Sequence, residues 1–208
     1  MDRWIDPPHI DVDVAERTHR GGGGWQLKRN QEESWAWADV FTPEECDSII
    51  EIGCRAGLVA ATTGGSDADP RRDSSVVFLY PNLSTEWIFQ RLTEAVTTTN
   101  QFFGFDLTHM MEGIQFTEYH APGQNYNWHA DCGSLMATRK LSLTVQLTDP
   151  NKYKGGELEL NAYGDAIEMD KVRGRAFAFP SWTLHRVKPV TEGVRHSLVV
   201  WVTGPPFR

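Results

Sequence analysis

The sequence predicts an α+β fold, mainly β, in which supporting helices come first and an antiparallel β domain follows. Two observations indicate this order. A capping signal and apolar residues at helical spacing occupy the region from about residue 42 to 103, and short alternating segments occupy about 111 to 204. Many short strands separated by Gly, Pro and Asn turns are typical of a sandwich or barrel.

The first 33 residues predict an extended or partly flexible N-terminal arm, followed by a single domain over residues 34–208. Pro7, Pro8 and four consecutive glycines at 21–24 interrupt this polar segment. Four glycines in a row cannot support a helix interior and rarely lie inside a strand.

Two helices are predicted before the β region. Thr42 can cap the first helix, Pro43 suits its first position, and Glu45 completes a capping box. The second helix is predicted over about 84–103. Turn-forming and charged residues at 62–75 predict a loop between them, and both this loop and the N-terminal arm could act as lids over a site.

Alternating apolar and polar residues predict the strands of the β domain. After a short apolar strand at 76–80, the predicted strands are 114–119, 140–147, 157–160, 175–179, 184–187 and 197–202. The alternation means that one face of each strand packs on a core.

Composition and charge restrict the kinds of partner that the chain is expected to bind. The 208 residues, 40% of them hydrophobic, suffice for one full core with an internal pocket. The formal net charge is −8, which opposes sequence-independent binding to nucleic acid or anionic lipid. No apolar run approaches the roughly 18 residues of a membrane-spanning helix. We therefore expect no nucleic-acid partner and no membrane association.

The three cysteines indicate a cytoplasmic location. Cys46, Cys54 and Cys132 are an odd number and form no CxxC motif. Such a set favours free thiols in a reducing compartment over a disulfide framework.

His129 and Asp131 form the candidate centre of the chain. On a strand, residues two apart point to the same face, so one imidazole and one carboxylate could hold a single cation. The His-x-Asp pattern alone is weak evidence, because His9 and Asp11 repeat it inside the predicted arm. Position before the β domain favours the pair at 129 and 131.

Two later residues strengthen the hypothesis. His185 lies on a predicted short strand and Arg195 follows at the start of the last strand. Two histidines and a carboxylate form the facial triad of non-haem Fe(II) oxygenases, whereas a closed zinc site would use four protein ligands, often cysteines. An arginine near such a metal can grip a carboxylate with two hydrogen bonds.

The chain resembles the 2-oxoglutarate- and Fe(II)-dependent dioxygenases, specifically their prolyl 4-hydroxylase-like branch, over roughly residues 35–204. The motifs that carry the resemblance are Phe41-Thr-Pro-Glu-Glu-Cys46, Tyr119-x3-Gly123-x2-Tyr126-x2-His129-x-Asp131, Gly155-Gly156-Glu157-Leu158, Phe179-Pro180-x4-His185-x-Val187 and Gly193-x-Arg195-x-Ser197. The resemblance implies a double-stranded β-helix (jelly roll) core with supporting N-terminal helices.

It also implies an activity. His129, Asp131 and His185 would bind Fe(II), and Arg195 would bind the distal carboxylate of 2-oxoglutarate. With O2, the cosubstrate would be converted to succinate and CO2 while a substrate C–H bond is hydroxylated, and ascorbate would support turnover. A prolyl residue in a peptide is the substrate that the branch suggests, and small molecules remain open.

The resemblance extends to further residues with less direct signals. Tyr119 would face the cosubstrate, and Ser197 could share its carboxylate because it has the strand parity of Arg195. A tyrosine that often helps to hold this carboxylate is absent, so Gln146 or Thr144 would replace it. Residues assigned to the substrate pocket are Trp201, Asn127 and Arg71. No catalytic residue is expected beyond the metal centre.

Two rival hypotheses remain. One is a non-catalytic jelly-roll module that binds a ligand, and the other is a cupin-like metalloenzyme that uses the metal without 2-oxoglutarate. The presence of three metal ligands and an arginine in order disfavours the first rival. The second predicts no special role for Arg195.

Overall fold

The computed structural model describes residues 15–17, 25–27, 34–61, 71–110, 112–133 and 136–206. The chain divides into two compact units, Met1–Glu33 and Ser34–Arg208. In the first unit, β1 (Ala15–Arg17) pairs antiparallel with β2 (Trp25–Leu27). The rest of the predicted arm, including the His-x-Asp pair at 9 and 11, lies outside the described residues.

The second unit contains two helices and thirteen strands among its described residues. They are β3 (Ala36–Asp39), α1 (Pro43–Arg55), β4 (Val59–Ala60), β5 (Arg72–Asp73), β6 (Ser75–Leu79), α2 (Glu86–Phe103), β7 (Ile114–His120), β8 (Asn125–His129), β9 (Arg139–Gln146), β10 (Tyr153–Gly155), β11 (Leu158–Asn161), β12 (Ile167–Glu168), β13 (Arg175–Pro180), β14 (Leu184–Val187) and β15 (Val190–Thr203).

Helix α1 begins at the predicted capping box. The Thr42 hydroxyl accepts a hydrogen bond from the Glu45 amide at 3.2 Å, and the Glu45 carboxylate accepts from the Thr42 amide at 2.9 Å. The buried face of α1 includes Ile49 and Gly53. A side chain at Gly53 would lie 2.4 Å from the Phe116 ring, so glycine is what lets α1 approach the sheet this closely.

Helix α2 packs the apolar face that its spacing predicts. Ile88, Leu92 and Val96 are buried, and Gly104 ends the helix in the left-handed conformation with φ 62°. Threonines 93, 97, 98 and 99 each donate their hydroxyl to the carbonyl four residues earlier. These bonds satisfy the hydroxyls within the helix.

The strands form two antiparallel sheets. The major sheet has the order β3-β13-β9-β15-β7-β6-β4, with β10 also pairing with β15, and the minor sheet has the order β12-β11-β14-β8-β5. Both helices pack on one face of the major sheet, around residues such as Leu141 and Leu198. Its other face shares a second apolar cluster with the minor sheet, including Phe179, Leu158 and Val187. This is the mainly β architecture that the sequence predicts.

The loop predicted at 62–75 is shorter in the structure. Residues 62–70 lie outside the described part of the chain, but Arg72 and Asp73 form β5 and Ser75 begins β6. Strand β5 pairs with the edge of β8, because an edge strand leaves backbone groups that a neighbouring segment can satisfy. Local composition does not reveal this pairing.

Within the described residues, neither helix is both long and apolar enough to cross a membrane.

Candidate metal centre and its pocket

Three side chains converge at one end of the minor sheet. His129 is the last residue of β8, and His185 on β14 is its direct partner in the antiparallel register. Asp131 follows β8, with its oxygens 3.7 Å from His129 Nε2 and 3.5 Å from His185 Nε2. One ligand atom from each residue lies within 4.8 Å of the others. The group can therefore hold one metal ion.

Backbone carbonyls orient both imidazoles. His129 Nδ1 lies 2.8 Å from the Asn127 carbonyl, and His185 Nδ1 lies 3.0 Å from the Thr183 carbonyl. A carbonyl can only accept, so each Nδ1 must donate and each Nε2 presents its lone pair to the centre. This is how proteins commonly fix the tautomer of a metal-binding histidine.

Two serines hold the carboxylate. The Ser142 hydroxyl donates to Asp131 Oδ2 at 2.7 Å, and the Ser181 hydroxyl lies 3.0 Å from that of Ser142. The Ser181 carbonyl also accepts from the Asp131 amide at 2.9 Å. These contacts hold the Asp131 carboxylate beside the two histidines.

The electrostatics of the group favour metal binding. Burial, followed by the charge of His185, lowers the pKa of His129 to about 3, so this imidazole is neutral at neutral pH. Burial alone would raise the pKa of Asp131, but the two histidines and Ser142 outweigh it, and the pKa is lowered. A neutral imidazole and an ionised carboxylate are the forms that bind metals.

A cavity of about 450 Å³ adjoins the three residues and is bordered by both sheets. Tyr119, Thr144, Ser197 and Trp201 line it from the major sheet. Tyr126 lines it from the minor sheet and stacks on His129, with ring centroids 3.5 Å apart. The aromatic rings flank the candidate metal ligands on two sides.

Arg195 is fully buried and pairs directly across the strands with Tyr119. It donates to Ser197 Oγ at 3.1 Å and to Gln146 Oε1 at 2.9 Å, while its Nε has no hydrogen-bond partner in the described part of the chain. No carboxylate pairs with it among the described residues. A buried cation without a counter-charge is costly, so an anionic ligand fits here.

The surroundings of Arg195 also suit the distal carboxylate of 2-oxoglutarate. Arg195 supplies charge and, within the described residues, an unpartnered donor; it is not among the residues that line the cavity, whereas its hydrogen-bond partner Ser197 is. Burial raises the pKa of Tyr119, so its hydroxyl keeps its proton and can donate. Gln146 holds Arg195 and does not line the cavity, whereas Thr144 does.

Two residues assigned to the pocket from sequence lie elsewhere. Asn127 is exposed, and its side-chain oxygen accepts from the Trp128 amide at 2.8 Å. Neither Asn127 nor Arg71 is among the residues that line the cavity, while Arg72 is. For Asn127 the reason is the register irregularity between β14 and β8, where His185 pairs with His129 but Val187 pairs with Tyr126, so that Tyr126 and not Asn127 lines the cavity beside His129. Arg71 precedes β5, which begins at Arg72.

Sequence reasoning missed several residues of the site. Arg72 lies 4.7 Å from the Tyr126 ring centroid, and one of its terminal nitrogens is buried without a partner. Arg139 lies 3.9 Å from the Trp201 ring centroid and donates to the Asp131 carbonyl at 3.2 Å. Of the missed residues, Ser142 had a readable signal, because it shares strand parity with Thr144.

Comparison with known proteins gives concordant matches. The model of the 2OG-Fe(II) oxygenase superfamily matches residues 114–203. A PKHD-type hydroxylase of Prochlorococcus marinus (strain MIT 9211) is 32% identical over 113 residues, which cover 54% of this chain and 51% of that protein. One of Maricaulis maris (strain MCS10) is 28% identical over 166 residues, covering 78% and 74%. The chain thus spans about half the length of the first of these relatives.

Solved structures share the fold. A Pseudomonas putida prolyl-4-hydroxylase superposes with a TM-score of 0.67 at 21% identity, covering 84% of this chain and 94% of that one. A prolyl hydroxylase from Trichoplax adhaerens, in complex with a hypoxia inducible factor peptide fragment, gives 0.69 at 14% identity, covering 83% and 84%. These likenesses confirm the predicted jelly-roll class of the fold.

Proposed function

We propose that the chain is an Fe(II)- and 2-oxoglutarate-dependent dioxygenase that hydroxylates a C–H bond, since its residues 114–203 match the model of the 2OG-Fe(II) oxygenase superfamily. One observation carries the proposal. Ligand atoms of His129, Asp131 and His185 converge within 4.8 Å beside a cavity, and the buried Arg195 nearby has no carboxylate partner among the described residues.

The three converging residues would hold Fe(II) on one face. Two imidazoles and one carboxylate are the protein ligands typical of non-haem Fe(II) oxygenases, and the bound ion would act together with 2-oxoglutarate and O2. When bound together, these groups supply the oxidising chemistry that releases succinate and CO2 and hydroxylates the substrate. The contribution of the protein is to fix the ligands, through the Asn127 and Thr183 carbonyls and Ser142.

The cosubstrate would be oriented by the major sheet. Arg195 and Ser197 bind its distal carboxylate, and Tyr119 donates a hydrogen bond to it. Gln146 acts indirectly, because its side-chain oxygen already accepts from Arg195 at 2.9 Å. Tyr126 and Trp201 flank the cavity and would exclude water, which strengthens the polar contacts inside.

A peptidyl proline is the first candidate substrate. The names of the prolyl hydroxylase structures support it, as does the peptide bound in the Trichoplax protein, while the PKHD-type relatives are named only as hydroxylases. We propose that ascorbate acts as a supporting reductant. The cytoplasmic location expected from the three cysteines stays a prediction.

A small molecule with an anionic group is the second candidate. Arg72 lines the cavity, donates through Nε to Ser74 at 3.0 Å, and leaves a buried terminal nitrogen unsatisfied. A carboxylate on the substrate would satisfy this donor and pair with its charge. A free amino acid and an acidic peptide both carry such a group.

Succinate formation tests the proposed activity. Purified protein supplied with Fe(II), ascorbate and 2-oxoglutarate is incubated with proline-containing peptides and with free amino acids, and succinate is quantified. We expect substrate-dependent succinate that His185→Ala abolishes. A cupin-like enzyme would convert a substrate without consuming 2-oxoglutarate, and a non-catalytic module would convert none.

A further inference from the structure

A second cluster of metal-binding side chains lies away from the candidate centre. Cys54 on α1, Glu118 on β7 and His196 on β15 each present one ligand atom, and these atoms lie within 4.8 Å of one another. The three residues come from segments far apart in sequence. Only the packing of α1 on the major sheet brings them together.

The cluster lies on the opposite face of the major sheet from the cavity. Strand alternation turns Tyr119 and Ser197 toward the cavity, and therefore turns Glu118 and His196 toward the helices. Glu118 and His196 are direct partners in the antiparallel register of β7 and β15. The cluster shares no residue with the candidate iron ligands.

The donor geometry suits a tetrahedral zinc ion. The Cys54 sulfur lies 3.8 Å from Glu118 Oε2, and His196 Nε2 lies 3.0 Å from the same oxygen. Zn–ligand bonds of about 2.0–2.3 Å place neighbouring ligands roughly 3.3–3.7 Å apart. Small side-chain movements would therefore bring all three donors to bonding distance of one ion.

The surroundings hold two of the ligands in place. His196 Nε2 donates to Glu118 Oε2 at 3.0 Å, so Thr148 Oγ1, 3.0 Å from His196 Nδ1, donates to that nitrogen. On metal binding through Nε2 the proton would move to Nδ1, and the Thr148 hydroxyl would accept from it. Phe116 stacks on His196 with ring centroids 5.5 Å apart. Phe116 also lies against Gly53, which fixes the backbone beside Cys54.

The three ligand types form a hydrogen-bond network here and are also ones that zinc binds. His120 and His196 each bond one oxygen of Glu118, at 2.7 Å and 3.0 Å. The carboxylate is therefore already satisfied, and a thiol is a weak additional donor. Sulfur, imidazole nitrogen and carboxylate oxygen together are the donor set that zinc prefers.

We propose that Cys54, Glu118 and His196 bind one Zn²⁺ per chain, with water as the fourth ligand. The side chains of His196 and Glu118 are 12% and 15% exposed, whereas Cys54 is exposed, so the ion can enter from solvent. Bound there, zinc would link α1 to the two central strands β7 and β15. The site requires neither iron nor 2-oxoglutarate.

Cobalt(II) titration tests this site separately from the proposed enzyme activity. In a His129→Ala/His185→Ala background, which lacks two of the three candidate iron ligands, we expect one Co²⁺ per chain with an intense near-ultraviolet thiolate-to-cobalt band. Zn²⁺ should displace the cobalt and remove the band. Adding Cys54→Ser should abolish it, while Cys132→Ser, the matched control, should leave it unchanged.

Two outcomes would overturn the proposal. One is the absence of saturable Co²⁺ binding, and the other is a band of equal intensity in the Cys54→Ser variant. Should the double-alanine background not fold, the wild-type chain serves instead, with two ions expected per chain and one after Cys54→Ser or His196→Ala. A stoichiometry that does not fall by one in the Cys54→Ser and His196→Ala variants would then refute the second site.

Discussion

His185 lies directly opposite His129 in the pairing of β14 with β8. The ring centroids are 4.1 Å apart, and Asp131 lies within 3.7 Å of both Nε2 atoms. The position of each imidazole therefore depends on strand register, since a slip of one residue would turn one ring to the other face. The proposed iron site and its supporting contacts lead to the predictions below.

Ser142→Ala should weaken metal binding without abolishing it. The substitution removes the hydroxyl that donates to the buried Asp131 carboxylate at 2.7 Å. Loss of such a supporting contact typically lowers metal affinity about 10- to 100-fold. Anaerobic Fe(II) titration measures the effect, with Ser48→Ala as control because Ser48 bonds only a helix carbonyl on the exposed face of α1. Equal affinities in the two variants would exclude this role of Ser142.

Gln146→Leu should raise the KM for 2-oxoglutarate and lower stability. It leaves a terminal nitrogen of the buried Arg195 without its acceptor at 2.9 Å, which costs about 1–3 kcal/mol. Urea unfolding measures the stability and succinate formation measures the KM. Gln90→Leu on the exposed surface of α2 is the control. A destabilised variant with normal KM would show that Gln146 does not position the cosubstrate site.

Arg72→Leu should raise the KM for the substrate while the KM for 2-oxoglutarate stays near the wild-type value. Arg72 lines the cavity with an unsatisfied nitrogen. Arg71→Leu is the matched control, because that side chain is not among those lining the cavity. Comparing the two variants also shows which arginine contributes to the pocket: Arg71, as the sequence predicts, or Arg72, as the structure indicates. A larger rise in the substrate KM for Arg71→Leu than for Arg72→Leu would favour Arg71.

Stability of the metal-free protein should fall as the pH is lowered from about 6.5 toward 3. Burial lowers the pKa of His129 to about 3, from an ordinary value of 6.5, so in this window the unfolded chain binds a proton that the folded chain excludes. Between pH 8 and pH 5 the loss from this residue is on the order of 2 kcal/mol. Urea midpoints measured with chelator present should show it, and His129→Gln should flatten the dependence. An equally steep dependence in that variant would assign the effect to other groups.

Much of the site could be predicted because its signals are local in sequence. His129 and Asp131 are two residues apart, and His185 and Arg195 follow in order along the chain. The α1 capping box needs only residues 42–45, which also contain all the contacts that form it. In both cases the residues that form the feature are also the ones that identify it in the sequence.

Other parts depend on contacts that no local pattern shows. Arg72 lines the cavity only because β5 pairs with β8, which is more than fifty positions later. Ser142 on β9 and Ser181, directly after β13, support Asp131 from distant parts of the sequence. Cys54 meets Glu118 only because Gly53 permits close packing on Phe116. These relationships arise from register and packing, which composition and periodicity do not determine.

The most direct test of the proposed function is anaerobic binding of 2-oxoglutarate to the Fe(II)-loaded protein, followed by its visible charge-transfer band. We predict a saturable band in wild type and in the control His109→Ala, no band in His185→Ala, and a many-fold weaker cosubstrate affinity in Arg195→Ala. The absence of a band in wild type, or equal bands in all four proteins, would contradict the assignment of this site to an iron- and 2-oxoglutarate-dependent dioxygenase.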